Sequence, residues 1–374
     1  MSDFPSDILF DIFLRLPIKS LLRFRCVSPF WRNIIDDPCL AYVHRTRFAE
    51  ESRVLLLDHP KHKPDVTFRE DHGGFLKASL SLVTQFATLK AYFFEGCCNG
   101  LVCFTKSCDD SLVFLFNPLR HEVLALQPRP CSSTAQTSDP PLRKRKYGLG
   151  FDCSKNTYKI VRVFENQRNS TLCAEVFTLG RSSSSSSWRS AIGKGPDHCP
   201  LFGRPIFACG ALHWLSIATS EDDHNNNNLE GNKIVSFDIS KEEFGLISTP
   251  KSFLSCHLLD LRGDLAIVDC SSDRQIEIWV LKEYAGKIKK WVKEYEIGLK
   301  APIGAVDNTW IEVIGIWEEG EILVRYVGSF LSYDPKTDGL RYIHIPGFSH
   351  HDDTEVLCHK GTLLSLSRFQ EEEL

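Results

Sequence analysis

Side chains that often bind metals or take part in catalysis are plentiful in this chain, which has 14 cysteines and 13 histidines among 374 residues. A zinc site needs cysteine or histidine pairs at short, regular spacings. The nearest approach to such a pattern is a group of four cysteines: Cys97, Cys98, Cys103 and Cys108. No second pair follows them at a suitable distance, and the run from His350 to Asp353 is typical of an exposed polar turn. The sequence therefore predicts no metal site.

Motifs for nucleophilic catalysis and phosphate binding are also missing. The sequence has no GxSxG, which presents a nucleophilic serine on a sharp turn, and no GxxxxGK[ST], which holds phosphate groups. Acidic pairs such as Glu242-Glu243 and Glu318-Glu319 lie beside glycine-containing turns, where their charge favours solubility. We therefore predict no catalytic residue and no cofactor.

Composition excludes several classes of partner. The net charge of -4 gives no electrostatic case for binding nucleic acid. No run approaches the ~18 apolar residues that a membrane span requires, and the first residues do not form an export signal. Cysteines in such a chain are expected to be reduced thiols, so we predict a protein of the cytoplasm, the nucleus or both.

The elements change in character near residue 48. Before it, apolar residues recur on one side of a predicted helix: Ile8, Leu9, Ile12, Phe13 and Leu16. Pro17 cannot continue that helix. Ser28-Pro29 and Asp37-Pro38 each combine a capping side chain with a proline, which predicts two further helix starts. So small a helical unit buries little surface alone, which suggests that another chain completes it.

After about residue 53 the pattern becomes that of short strands separated by Gly, Asn, Asp and Pro. Examples are Val54 to Leu57, Leu101 to Phe104 and Val113 to Phe116. The runs recur in loose modules of roughly 40–50 residues, the period of β-propeller blades. We predict about seven blades, with six or eight as alternatives, and residues 361–366 as the strand that closes the ring.

The helical unit resembles an F-box. The resemblance is carried by four segments: Pro5-x-Asp7-Ile8-Leu9, Arg15-Leu16-Pro17-x-Lys19-Ser20-Leu21, Arg23-x-Arg25-x-Val27-Ser28 and Trp31. It implies a three-helix domain over residues 1–47 that binds an SKP-family adaptor and, through it, a cullin. By motif position the adaptor contacts would be Pro5, Ile8, Leu9, Ile12, Leu16, Pro17, Leu21, Leu22, Val27 and Trp31. Some of these must instead pack the helices together. A polar rim would comprise Arg15, Lys19, Arg23 and Arg25.

Residues 48–374 resemble the F-box-associated domain of the large plant F-box family, which includes F-box/kelch-repeat defence regulators and S-locus F-box-like proteins. Matching segments include Phe116-Asn117-Pro118, Tyr147-Gly148-Leu149-Gly150-Phe151-Asp152, Ala211-Leu212-His213-Trp214 and Ile278-Trp279-Val280. The resemblance implies a mainly β protein, in which a kelch-like β-propeller that recognises a substrate follows the small helical domain.

The function implied by both resemblances is that of a non-catalytic specificity subunit of an SKP–cullin–F-box ubiquitin ligase. It would hold an unknown target protein for ubiquitination and proteasomal degradation. Loops at 128–146 and 221–231 are candidates for target contact. Two alternatives stay open: a scaffold that binds the adaptor without degrading anything, and a propeller enzyme. An enzyme would need convergent carboxylates or a metal site, which the sequence does not offer.

Overall fold

The structure analysed is a computed structural model. It describes residues 5–47, 53–57, 65–69, 75–79, 92–106, 109–126, 145–166, 169–180, 188–216, 232–272, 274–284, 289–299, 311–317, 320–326, 329–343 and 355–369. The predicted target loops lie almost wholly outside these ranges, as do Cys108 and the run from His350 to Asp353.

Four short helices form the N-terminal unit: α1 (Ser6–Phe13), α2 (Ile18–Phe24), α3 (Pro29–Ile35) and α4 (Pro38–Arg47). The two predicted caps are present. The Ser28 hydroxyl accepts a hydrogen bond from the Trp31 N–H at 3.1 Å, and the Asp37 carboxylate accepts one from the Cys39 N–H at 2.7 Å. Pro17 occupies the N-cap position of α2, so local sequence signals mark the starts of α2, α3 and α4.

The interior of the helical unit is aromatic and aliphatic. Phe13, Leu21 and Ile35 are almost completely buried. The Trp31 ring packs edge-on against Phe13 and Phe24, with centroid distances of 5.2 and 5.5 Å. Such pairs stabilise a core beyond the area they bury. This packing fixes α1, α2 and α3 relative to one another.

The strands of the described residues form six antiparallel four-stranded sheets. The first contains β1 (Arg53–Leu57), β2 (Asp65–Arg69), β3 (Phe75–Ser79) and the last strand, β24 (Glu355–His359). The second contains β4 (Tyr92–Cys98), β5 (Leu101–Lys106), β6 (Asp109–Asn117) and β7 (Glu122–Ala125). The third contains β8 (Lys146–Asp152), β9 (Thr157–Glu165), β10 (Leu172–Thr178) and β11 (Trp188–Ser190).

The other three sheets follow the same up-and-down order. They contain β12 (Leu201–Ala208), β13 (Ala211–Ser216), β14 (Lys233–Asp238) and β15 (Glu243–Ser248); β16 (Cys256–Leu261), β17 (Asp264–Asp269), β18 (Gln275–Lys282) and β19 (Lys290–Gly298); and β20 (Ile311–Ile316), β21 (Ile322–Tyr326), β22 (Ser329–Asp334) and β23 (Gly339–Ile343). A short 3-10 helix, Ser367–Phe369, follows β24. None of the described helices is long and apolar enough to cross a membrane.

The prediction of about seven blades is wrong. Along the chain, five sheets begin at Tyr92, Lys146, Leu201, Cys256 and Ile311, about 55 residues apart. The sequence pattern suggested modules of 40–50 residues, and so short a period overestimates the number of blades. The error arose because strands that are apolar on both faces look alike in sequence, whichever sheet they belong to.

The first sheet combines the two ends of the β region. β24 pairs antiparallel with β1, with Val54 opposite Cys358. The closing strand therefore precedes the predicted one, and residues 361–366 are not strand. Their apolar side chains serve a different contact, described below.

β4, β8 and β12, each the first strand of its sheet, run in the same direction along the axis of the ring. The Arg204 guanidinium of β12 lies over the Phe94 ring of β4, and a side-chain atom added at Gly148 of β8 would meet Pro205 of β12. One step further along, Gly150 faces Phe207. Residue numbers rise together, so β4, β8 and β12 begin at one end of the ring and finish at the other.

Candidate functional site

Helix α1 presents two isoleucines to solvent. Ile8 and Ile12 are 47% and 43% exposed and lie one helical turn apart, so they share a face. Leu9 and Phe13, on the neighbouring face, are buried in the helical core. The helix is thus apolar on two sides, and the described residues cover only one of them.

The ten predicted adaptor contacts divide into three groups by burial. The exposed ones are Pro5, Ile8, Ile12, Pro17 and Val27. The partly buried ones, which pack against the helical core, are Leu16, Leu22 and Trp31. The buried ones are Leu9 and Leu21. The last two therefore hold the helices together, and the first group is available to a partner.

A groove between α1 and α3 adds a residue that the sequence reasoning missed. Phe30 is 51% exposed and borders this groove, whose volume is about 610 Å³. The groove is lined by Ser6, Asp7, Phe10, Asp11, Phe30, Asn33, Ile34 and Asp37. Its floor is partly aromatic and its rim carries three carboxylates. The sequence could have indicated Phe30, because it is an apolar residue directly beside Trp31, one of the predicted adaptor contacts.

Of the four basic residues predicted to form a polar rim, Arg15 and Arg23 are exposed and Lys19 is half-buried. Arg25 has a different role. Its Nε donates to both oxygens of Asp36, at 2.7 and 3.0 Å. This hydrogen bond, chiefly, raises the pKa of Arg25 above its ordinary value. Arg25 is thus engaged at the end of α3.

Asp36 is also where the helical unit meets the ring of sheets. Arg120, in the turn between β6 and β7, is almost completely buried; its Nη1 lies 2.8 Å from Asp36 Oδ1 and its Nε lies 2.9 Å from Glu122 Oε1. Burial opposes ionisation of Asp36, but hydrogen bonds from Arg25 and Arg120 outweigh it and hold the pKa of the carboxyl below its ordinary value. Asp36 is therefore a charged link between the two parts of the chain.

The segment after β24 strengthens this junction. Leu363 is buried within the core of the helical unit, and Leu119 packs against the same core. The Asn117 amide donates to the carbonyl oxygens of Thr362 and Leu364, at 3.2 and 2.7 Å. Glu122 accepts from the Leu366 N–H at 2.6 Å. The residues predicted to form the closing strand are thus apolar because they connect the ring to the helices.

Sequence gave no signal for this junction. Asp36 and Arg120 are separated by 84 positions, and Asn117 and Leu364 by 247. Nothing in the local pattern of either residue indicates its partner. Only the fold brings them together.

In the described residues, histidine, cysteine and acidic side chains do not form a group of three or more that could hold a metal ion. His213 and Trp214, in the middle of β13, are fully buried. Both are therefore core residues. The arrangement that the structure does build is an exposed apolar surface on the helical unit, which is fixed to a large β domain.

Comparison with known families agrees with this division of the chain. The family model described as F-box domain matches residues 1–41. The one described as F-box associated beta propeller domain matches residues 52–365, which is most of the chain. Both resemblances seen in the sequence are thereby confirmed.

Three of the relatives that this chain matches are proteins of Arabidopsis thaliana. F-box protein At3g07870 is 27% identical over 97% of this chain and 92% of its own length. F-box/kelch-repeat protein At3g23880 is 28% identical over 77% of this chain and 78% of its own. F-box protein CPR1 is 25% identical over 79% of this chain and 73% of its own. With its F-box helices joined to a ring of antiparallel sheets, this chain belongs to the family of F-box proteins that carry the F-box associated beta propeller domain.

Proposed function

We propose that this protein is the substrate-recognition subunit of an SKP–cullin–F-box ubiquitin ligase. F-box domains generally bind SKP adaptors, and F-box proteins are generally non-catalytic. In this role the helices bind the adaptor, and through it the cullin. The propeller holds a target protein near the ubiquitin-loaded enzyme, which raises the effective concentration of target lysines.

The observation that carries this proposal is the uncovered apolar face of α1 on a unit that is firmly joined to the propeller. Ile8 and Ile12 are exposed although their neighbours are buried, and exposed aliphatic residues that adjoin one another on one face form the kind of apolar patch that favours a partner. Val27 and Phe30 extend the apolar surface available on the same unit. The Asp36–Arg120 link supports a fixed geometry between adaptor and target.

Replacing Ile12 by Asp tests the adaptor surface. A carboxylate on this face would be desolvated in the complex at a cost of several kcal/mol. We expect binding to a purified SKP-family adaptor to weaken at least about a hundredfold by isothermal titration calorimetry. The matched control is Leu246→Asp, which changes an equally exposed apolar residue on β15 of the propeller and should leave adaptor affinity unchanged.

Co-purification with cullin and ubiquitination of a bound target then separate the three candidate functions. A ligase subunit does both. A scaffold binds the adaptor and cullin, but its bound partner acquires no ubiquitin. Turnover of small substrates without any partner would favour an enzyme. Wild-type adaptor affinity in Ile12→Asp would show that the interface lies elsewhere.

The compartment follows from the same proposal. We propose that the protein acts in the cytoplasm, the nucleus or both. Support comes from the cysteines, because each of the twelve in the described residues is a free thiol. Imaging of the tagged full-length chain tests it.

A further inference from the structure

A cavity of about 280 Å³ lies where the F-box meets the propeller. Ala41 and Tyr42 of α4 line it from the F-box side. The propeller contributes the turn between β8 and β9 and the residues just after β10, and the segment after β24 provides a further wall. A space of this size suits a molecule of roughly ten to fifteen non-hydrogen atoms. The cavity shares no lining residue with the groove between α1 and α3, so it is separate from the adaptor surface.

The walls of this cavity are held in place by contacts within the protein. The Tyr158 hydroxyl donates to the Asn99 carbonyl oxygen at 3.0 Å, and the Tyr158 ring packs edge-on against Phe151 with centroids 4.9 Å apart. Another wall is held by the Asn117 amide, which donates to two carbonyl oxygens of the segment after β24. The cavity is therefore formed before a ligand arrives, and a preformed site lowers the entropic cost of binding.

Much of the lining is apolar. Phe151, Tyr158 and Leu179 are buried members of one hydrophobic cluster of the propeller. Leu364 and Phe369, from the segment after β24, line the cavity and pack against the same cluster. Apolar and aromatic walls of this kind favour an aromatic or aliphatic ligand body, because binding removes its surface from water.

Arg368 is the charged residue among those that line the cavity. It lies in the 3-10 helix after β24 and is partly buried. Within the part of the chain that the structure describes, its guanidinium makes no hydrogen bond, ion pair or ring contact. A guanidinium that is partly removed from water is stabilised by charge-assisted hydrogen bonds, and a carboxylate accepts two of them at once. Arg368 therefore favours a ligand that carries a carboxylate.

A second polar group of the lining lacks a partner. The Thr157 hydroxyl oxygen is shielded from solvent, and no atom of the described residues hydrogen-bonds to it. Buried hydroxyls nearly always have such a partner. Rotation about the Cα–Cβ bond redirects a threonine hydroxyl without moving its strand. This hydroxyl is independent of Arg368 and likewise favours a ligand with a polar end.

We propose that this cavity binds a small organic acid, with one carboxylate on an aromatic or branched aliphatic body. The carboxylate pairs with Arg368, and the body packs against Phe151, Leu179 and Phe369. Because α4 and the propeller both line the cavity, the bound acid stabilises the arrangement of the F-box on the propeller. This binding activity goes beyond the proposed ligase function and does not depend on it.

Titration of the full-length protein with 3-phenylpropanoate tests the proposal. This acid combines one carboxylate with one aromatic ring and fits the size of the cavity. By isothermal titration calorimetry we expect a Kd of about 1 mM or tighter. The amide of the same acid, which has no charge, should bind at least about tenfold more weakly, and acetate, which has no apolar body, should not bind detectably.

Two variants locate the binding. Arg368→Gln should weaken binding of the acid about tenfold and remove the preference for the acid over the amide, because the charge-assisted contact is lost. Tyr42→Ala removes an F-box side chain from the lining and should weaken binding of the acid about threefold. At ten times its Kd, the acid should raise the melting temperature of the wild type by about 2 °C but leave that of Arg368→Gln unchanged.

Matched controls are available elsewhere on the propeller. Arg262→Gln changes an exposed arginine in the turn between β16 and β17, and Tyr342→Ala removes an exposed tyrosine ring from β23. Both should bind the acid as the wild type does. Melting temperatures measured without ligand show whether each of the four variants is folded.

Several results would overturn the inference. These are no detectable binding of the acid to the wild type, equal affinity of the wild type for the acid and its amide, or equal affinity of the wild type and a folded Arg368→Gln for the acid. Adaptor binding is measured separately, so the two proposals fail independently. Binding of the acid by a protein that does not bind the adaptor would contradict the ligase function alone.

Discussion

The surroundings of His213 determine its protonation state. It lies in β13, fully buried, with Nδ1 3.3 Å from the Ile206 carbonyl oxygen and Nε2 2.9 Å from the Tyr284 hydroxyl. A neutral ring satisfies both contacts, with Nδ1–H donating and Nε2 accepting from the hydroxyl. Burial lowers the pKa of His213 to about 3, because a charged ring would be desolvated.

The direction of the pH effect follows from this shift. In the unfolded chain the histidine binds a proton near pH 6.5, whereas in the folded protein it does so only near pH 3. Stability from this residue is therefore fully present above pH 6.5 and falls as the pH drops below it. We expect a loss of about 1.6 kcal/mol between pH 6.5 and pH 5 from His213 alone.

Urea denaturation at a series of pH values measures the effect. In His213→Gln the free energy of unfolding should be lower at neutral pH, but its decline between pH 6.5 and pH 5 should be shallower by about 1.1 kcal/mol per pH unit on average. A decline equal to that of the wild type would mean that the ring is protonated in the folded protein.

At the scale of elements, the turn between β4 and β5 and the segment after β24 must pass very close to each other. Gly100 has a φ of +83°, and a Cβ added there would lie 2.7 Å from the Lys360 carbonyl oxygen. The obstacle is backbone, which cannot move aside as a side-chain tip can. Glycine is needed here for two reasons: the positive φ, and the close approach of the backbone at Lys360.

Replacing Gly100 by Ala separates these two reasons when Gly263→Ala is measured alongside. Gly263 has a φ of +91° but open space around its missing Cβ. We expect Gly263→Ala to cost about 1 kcal/mol from backbone strain. Gly100→Ala should cost about 2 kcal/mol more because of overlap with the segment. Equal losses of unfolding free energy in the two variants would show that the segment yields easily.

At the scale of the whole molecule, the F-box is held to the propeller by buried contacts as well as by the chain between α4 and β1. Arg120 joins Asp36 to Glu122, and Leu363 inserts into the helical core. A ligase subunit benefits from such a junction, because transfer requires the target to stay in a productive position.

Weakening this junction should therefore separate binding from delivery. In the double variant Arg120→Gln with Leu363→Ala, we expect binding of the adaptor and of the target to persist. The radius of gyration from small-angle X-ray scattering should increase, and ubiquitin transfer to the target should become several-fold slower, because the target spends less time near the conjugating enzyme.

The corresponding control replaces Arg262 by Gln and Leu254 by Ala, an exposed arginine and an exposed leucine. It should match the wild type in both measurements. An unchanged radius of gyration in the junction variant would mean that other contacts suffice to fix the F-box.

Local sequence determined the helix starts and the β character of the rest. Ser28 and Asp37 cap their helices as predicted, because a cap depends on residues within three positions. The apolar run from Leu101 to Phe104 lies within β5. A short continuous apolar run bounded by turn residues is typical of a buried strand, so this prediction is confirmed. The order of the family motifs was likewise sufficient to identify the family.

Tertiary structure alone decided which of these residues face outward and which elements meet. Leu9 and Ile8 are equally apolar in sequence, yet one is core and the other surface, because α2 and α3 cover only one side of α1. Arg25 was predicted to face a partner but is paired with Asp36. The number of sheets, the position of the closing strand and the role of residues 361–366 depend on pairings between distant parts of the chain. Such pairings are set by packing of the whole ring, which no local pattern of residues encodes.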